Sequence, residues 1–62
     1  MRFIELHDTA VGKPFLVNIY KIDLIREQRE PDGGDSYTRI DLADSTVYCK
    51  ETSHEIMLKI RG

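Results

Sequence analysis

Tyr37-Thr38-Arg39-Ile40-Asp41-Leu42-Ala43-Asp44-Ser45-Thr46-Val47-Tyr48-Cys49-Lys50 is the stretch whose reading decides the fold. Its first six residues alternate. Thr38, Ile40 and Leu42 share one face, while Arg39 and Asp41 share the other. That is the period of a strand with one side on a core. Ala43-Asp44-Ser45 is turn chemistry. Thr46–Lys50 alternates again, with Val47 and Cys49 on one side and Tyr48 on the other. Two alternating runs joined by a short polar turn predict an antiparallel hairpin.

Working upstream, Pro31-Asp32-Gly33-Gly34-Asp35-Ser36 is a loop of strong turn formers. Leu24–Glu30 before it reads as a strand. It opens apolar and closes as Arg26-Glu27-Gln28-Arg29-Glu30, so its far half lies in solvent or on a sheet edge. Asn18–Asp23 fits either a continued strand or a single turn that lets Ile19 and Ile22 both face the core. The turn is favoured, because an Asn side chain can accept from the backbone two residues on. Phe15–Ile19 is a second strand, started by Pro14, which has no N–H to give a ladder. Arg2–His7 is the first strand, with Ile4 and Leu6 on one face and Phe3, Glu5 and His7 on the other. The connection Asp8–Lys13 offers Gly12 for a positive φ.

Downstream, Thr52 followed three residues later by Glu55 fits a capping box, with Ser53 as the alternative cap. Ile56, Met57 and Ile60 form an apolar stripe on a helix of about nine residues, and Lys59 and Arg61 sit at the negative end of its dipole. A helix this short is unstable alone in water and must dock. The expected fold is α+β: about five short antiparallel strands in a curved sheet or small open barrel, with one C-terminal helix. One domain spans residues 1–62.

Composition narrows the function classes. With 62 residues, of which 40% are hydrophobic, the core is thin. A chain of this length buries only about 60% of the surface that its unfolded form exposes, so self-association is expected. Cys49 is the only cysteine, which excludes an internal disulfide and a cysteine-based zinc site. Met1–Glu5 lacks an apolar run of signal-peptide length, and no apolar run exceeds three residues. The expectation is a cytoplasmic protein with a reduced thiol and no membrane span. Net charge is −2, and the basic residues are scattered rather than gathered in a stripe. Both features argue against a nucleic-acid partner.

Each candidate for chemistry has a plainer reading beside it. His7-Asp8 could be a base with its orienting carboxylate, or two metal ligands, but adjacent strand residues point to opposite faces. A site shared by His7 and His54 would need the fold to bring them together. Cys49 alternates into the core, where a thiol is inert. Asp32, Asp35, Asp41 and Asp44 surround two turns without the ligand spacing of a calcium loop, and the Gly33-Gly34 loop lacks the lysine of a phosphate-binding loop. No catalytic residue, cofactor or metal is expected. The tyrosines Tyr20, Tyr37 and Tyr48 are more open. An outer sheet face carrying Tyr48, Leu16 and Phe3 would be an exposed apolar patch of the kind that marks an interface. Phe3, Leu16, Tyr48 and Met57 are the expected protein-contact residues.

Several segments also resemble a family when taken in order: Gly12–Asn18, Ile22–Ile25, Thr38–Leu42, Val47–Thr52 and Glu55–Ile60. Together, over residues 3–60, the chain resembles the small flagellar and swarming motility proteins (FlbD-like). It departs from them at Ala43-Asp44, where they usually have Asn-Gly, and in the longer Pro31–Ser36 loop. The resemblance implies non-enzymatic support of motor function. The expected function is therefore a small cytoplasmic protein-interaction module, motility-associated by that resemblance, which binds itself and another protein. The alternative is a small nucleic-acid-binding β-barrel, of phage or mobile-element type, that stacks bases on tyrosine.

Overall fold

The computed structural model describes residues 2–31 and 33–62. Its order is β1 (Phe3–His7), β2 (Pro14–Asn18), a 3-10 turn (Ile19–Lys21), β3 (Ile22–Arg29), β4 (Ser36–Leu42), β5 (Thr46–Cys49) and α1 (Ser53–Arg61). The strands form two antiparallel sheets, β1-β2 and β3-β4-β5. The five antiparallel strands and the C-terminal helix are those expected, but the strands divide between two sheets instead of forming one, and the sheets are not closed into a barrel. They touch where Asp8 bridges Cys49 and where the Lys50 N–H donates to the His7 carbonyl at 2.9 Å.

The alternation fixes the faces. In the first sheet Ile4 lies opposite Val17 and Leu6 opposite Phe15, all turned inward, while Leu16 faces outward opposite Glu5. In the second, Ile25, Ile40 and Val47 make one inward row, and Arg26, Arg39 and Tyr48 make the neighbouring outward row. The buried centre is Ile4, Leu6, Val17, Ile40, Cys49 and Ile56.

The chain leaves the first sheet through the turn favoured from the sequence. Asn18 caps it by accepting from the Tyr20 N–H at 3.0 Å, and both Ile19 and Ile22 pack against the core. The third strand therefore begins at Ile22, two residues earlier than expected, with an irregularity between Ile22 and Leu24. The β1–β2 connection is held by Asp8, whose Oδ1 accepts from the N–H groups of Ala10, Val11 and Gly12. Gly12 takes the expected positive φ, 73°.

The capping box of α1 is complete: Thr52 accepts from the Glu55 N–H, and Glu55 accepts from the Thr52 N–H. Thr52, not Ser53, is the cap. Ser53 instead gives both its N–H and its hydroxyl to Glu27 Oε1, at 3.0 and 3.1 Å. At the other end Arg2 donates to the Lys59 carbonyl at 3.0 Å. A carboxylate at the N-terminus and a guanidinium at the C-terminus both suit the helix dipole. They fasten a helix too short to persist alone. Ile56 is buried and Ile60 half-buried, whereas Met57, in the stripe expected to dock, is exposed.

Candidate functional site

Strand alternation and helix rotation decide which apolar side chains the core cannot take. Eight large ones are exposed among the described residues, against six buried hydrophobic ones. All four expected contact residues are exposed: Leu16 (66%), Phe3 (50%), Tyr48 (44%) and Met57 (42%). They do not gather on one face. Phe3 and Leu16 share the outer face of the β1-β2 sheet, two register positions apart. Tyr48 lies on the outer face of β3-β4-β5. Met57 sits beside exposed Leu58 on α1.

Around Tyr48 the sheet carries a polar and aromatic group. Tyr37 meets the Tyr48 ring edge-on, with centroids 5.7 Å apart and planes at 67°, a favourable geometry for the two quadrupoles. Arg39 lies directly opposite Tyr48, and its Nε donates to Asp41 Oδ1 at 2.9 Å. That hydrogen bond holds the Asp41 carboxyl below its usual range and raises the Arg39 guanidinium. Arg26 lies opposite Arg39 on the other side. Arg39, whose strand parity Tyr37 shares, lies opposite Tyr48, and that parity is the sequence signal that puts the two rings on one side.

The group that joins the two sheets is centred on Glu51, which is buried. Its Oε1 accepts from the His7 N–H at 2.9 Å, and its Oε2 pairs with His7 Nδ1 at 2.6 Å. Its own carbonyl accepts from Thr38 Oγ1 at 2.6 Å and from Cys49 Sγ at 3.8 Å. Burial pushes the Glu51 carboxyl up, but the His7 ring and backbone donors outweigh it, and the net shift is downward. Burial, with the nearby Glu51 charge, raises the Cys49 thiol to about 11. The buried thiol is therefore protonated at neutral pH, poor chemistry for a nucleophile. His7 finds Glu51 rather than adjacent Asp8, which serves the turn. Nothing local in the sequence marks Glu51 as that partner, 44 positions away.

Asp32 lies outside the described residues. Of the other turn carboxylates, Asp41 is taken by Arg39 and by Thr46 Oγ1, and Asp44 accepts from Ser45 Oγ at 3.5 Å. Among the described residues no three His, Cys, Asp or Glu side chains are placed to hold a metal ion, and no helix is long and apolar enough to cross a membrane. Compared with family models, with curated proteins and with solved structures, the chain matches none.

Proposed function

We propose that this chain is a non-enzymatic, cytoplasmic protein-interaction module that works as a homo-oligomer. One observation carries the reading: among the described residues eight large apolar side chains are exposed, against six hydrophobic ones that are buried. The cost of their exposure is relieved when they are covered by another polypeptide. The mechanism is burial of sheet and helix surface, with Phe3, Leu16, Tyr48 and Met57 as contact residues. The resemblance to motility proteins supplies the process such a module would serve. The concentration dependence of the melting temperature tests the proposal, because a chain stabilised by its own copies gains stability by mass action. Between about 2 and 200 μM, Tm rises by roughly 5 °C or more. A concentration-independent Tm overturns the reading.

A second reading draws on the row Arg26, Arg39 and Tyr48, with Tyr37 against its end. Two cations and two rings on one face suit a single-stranded nucleic acid. Arg39 is already engaged by Asp41, which weakens that surface. Binding of a labelled oligonucleotide that falls as salt is raised would favour this reading. No binding at low salt would dismiss it.

A further inference from the structure

Strand β3 is an edge. It pairs with β4 on one side, and among the described residues no strand pairs with it on the other. A free edge invites a second chain, and proteins usually protect it with charge, because most registers then bring like charges together. The charges on this edge are arranged differently. Arg26-Glu27-Gln28-Arg29-Glu30, the last four residues of β3 and the one that follows it, reads plus, minus, neutral, plus, minus. Read backwards, every sign is reversed about Gln28.

We infer that two copies of this chain pair through β3, antiparallel, about a two-fold axis through Gln28. This rests on the self-association proposed above and names the element that carries it. In that register Arg26 of each copy lies opposite Glu30 of the other, and Glu27 opposite Arg29. All four charge pairs are of opposite sign. The two Gln28 amides face each other on the axis, where each can donate to the other. An axis through a residue keeps inward side chains opposite inward ones, so both sheets retain their buried faces. The neighbouring registers are penalised. Centring on Arg26, Glu27 or Arg29 puts identical charges on the axis, and centring on Ile25 sets Asp23 against Glu27. The pattern selects this register over those four.

The fold leaves these side chains available. Arg26, Glu27, Arg29 and Glu30 are exposed. Arg26, Arg29 and Glu30 have no ion-pair partner among the described residues. Arg26 instead faces Arg39 on the neighbouring strand β4, so a carboxylate from a second copy would offset a like-charge contact. Glu27 uses Oε1 for Ser53, and its Oε2 can accept from Arg29 of the second copy. The product is an isologous dimer with a continuous six-stranded sheet. The outer face of β1-β2 stays open for a different protein.

Sedimentation equilibrium of the full chain, its Arg26→Glu and Glu30→Arg variants, their equimolar mixture and the double variant tests this. Each single variant sets like charges opposite each other twice, and its dimerisation weakens about 30-fold. The mixture and the double variant restore opposite signs at every position and recover dimers within about threefold of the unmodified chain. A Gln28→Cys variant crosslinks into a dimer with oxidised glutathione, since residues facing across such an axis have Cβ atoms about 5 Å apart. Asp23→Cys, off the axis, does not crosslink. If the unmodified chain dimerises but neither charge reversal nor Gln28→Cys behaves so, the edge pairing is wrong and self-association stands. A monomer at about 200 μM overturns both.

Discussion

Glu51 holds His7 by two hydrogen bonds at once, its Oε1 on the backbone N–H at 2.9 Å and its Oε2 on the ring Nδ1 at 2.6 Å. With Thr38 and Cys49 on its own carbonyl, this one residue ties β1 to the end of β5 and to β4. It is the polar seam between two sheets that otherwise meet through side chains and one short bridge.

Removing the carboxylate opens that seam. Glu51→Ala leaves the part-buried His7 N–H without its acceptor and deletes a charge-assisted contact. The expected loss is about 2 kcal/mol of unfolding free energy. Urea denaturation checks it. Glu51→Gln, which can still accept from the His7 N–H, loses less.

Acid should destabilise the protein through the same carboxylate. Glu51, Asp8 and Asp41 all have folded-state pKa values below their ordinary ones of 4.5, 3.8 and 3.8. The Val11 N–H is the main cause for Asp8, and the Arg39 hydrogen bond for Asp41. A lowered folded pKa means that the unfolded chain binds more protons, so stability falls as pH falls. The contribution is complete above the ordinary values and disappears as pH drops through the folded ones. Denaturation at pH 7, 5, 4 and 3 should show this decline, and the slope should be shallower in Glu51→Gln.

Thr38 faces inward on β4 and gives its hydroxyl to the Glu51 carbonyl at 2.6 Å. Thr38→Val keeps the shape and removes the donor, so a buried carbonyl loses its best partner. The expected cost is about 1–2 kcal/mol, and Thr38→Ser should lose less. The midpoint of thermal unfolding reports both.

Gly12 has φ 73°, and a Cβ there would meet Lys50 Nζ at 3.3 Å. That lysine end can move aside. The backbone conformation cannot relax so easily while Asp8 Oδ1 holds the Gly12 N–H. Gly12→Ala should cost about 1–2 kcal/mol, measured by the same denaturation.

Much of this architecture is legible in the sequence because period-2 alternation is local. The inward faces of β1, β2, β4 and β5, the turn capped by Asn18, the positive φ of Gly12 and the capping box of Thr52 and Glu55 each depend on residues a few positions apart. Met57 shows the limit. It joins Ile56 and Ile60 in an apolar stripe, but it is adjacent to Ile56, so it lies about 100° around the helix from it and turns to solvent. Glu51 shows a deeper limit. A glutamate beside Lys50 reads as surface, and its burial depends on a donor pair 44 residues away. The four contact residues are exposed, as the alternation of their strands implies for three of them. Their spread over four elements and three surfaces follows from the way the two sheets and the helix meet, which no spacing along the chain encodes.

Sedimentation equilibrium between about 5 and 200 μM decides whether this chain associates with itself. Pairing gives a mass that rises from 7.2 kDa toward twice that value across the series. A single species at 7.2 kDa throughout would contradict it.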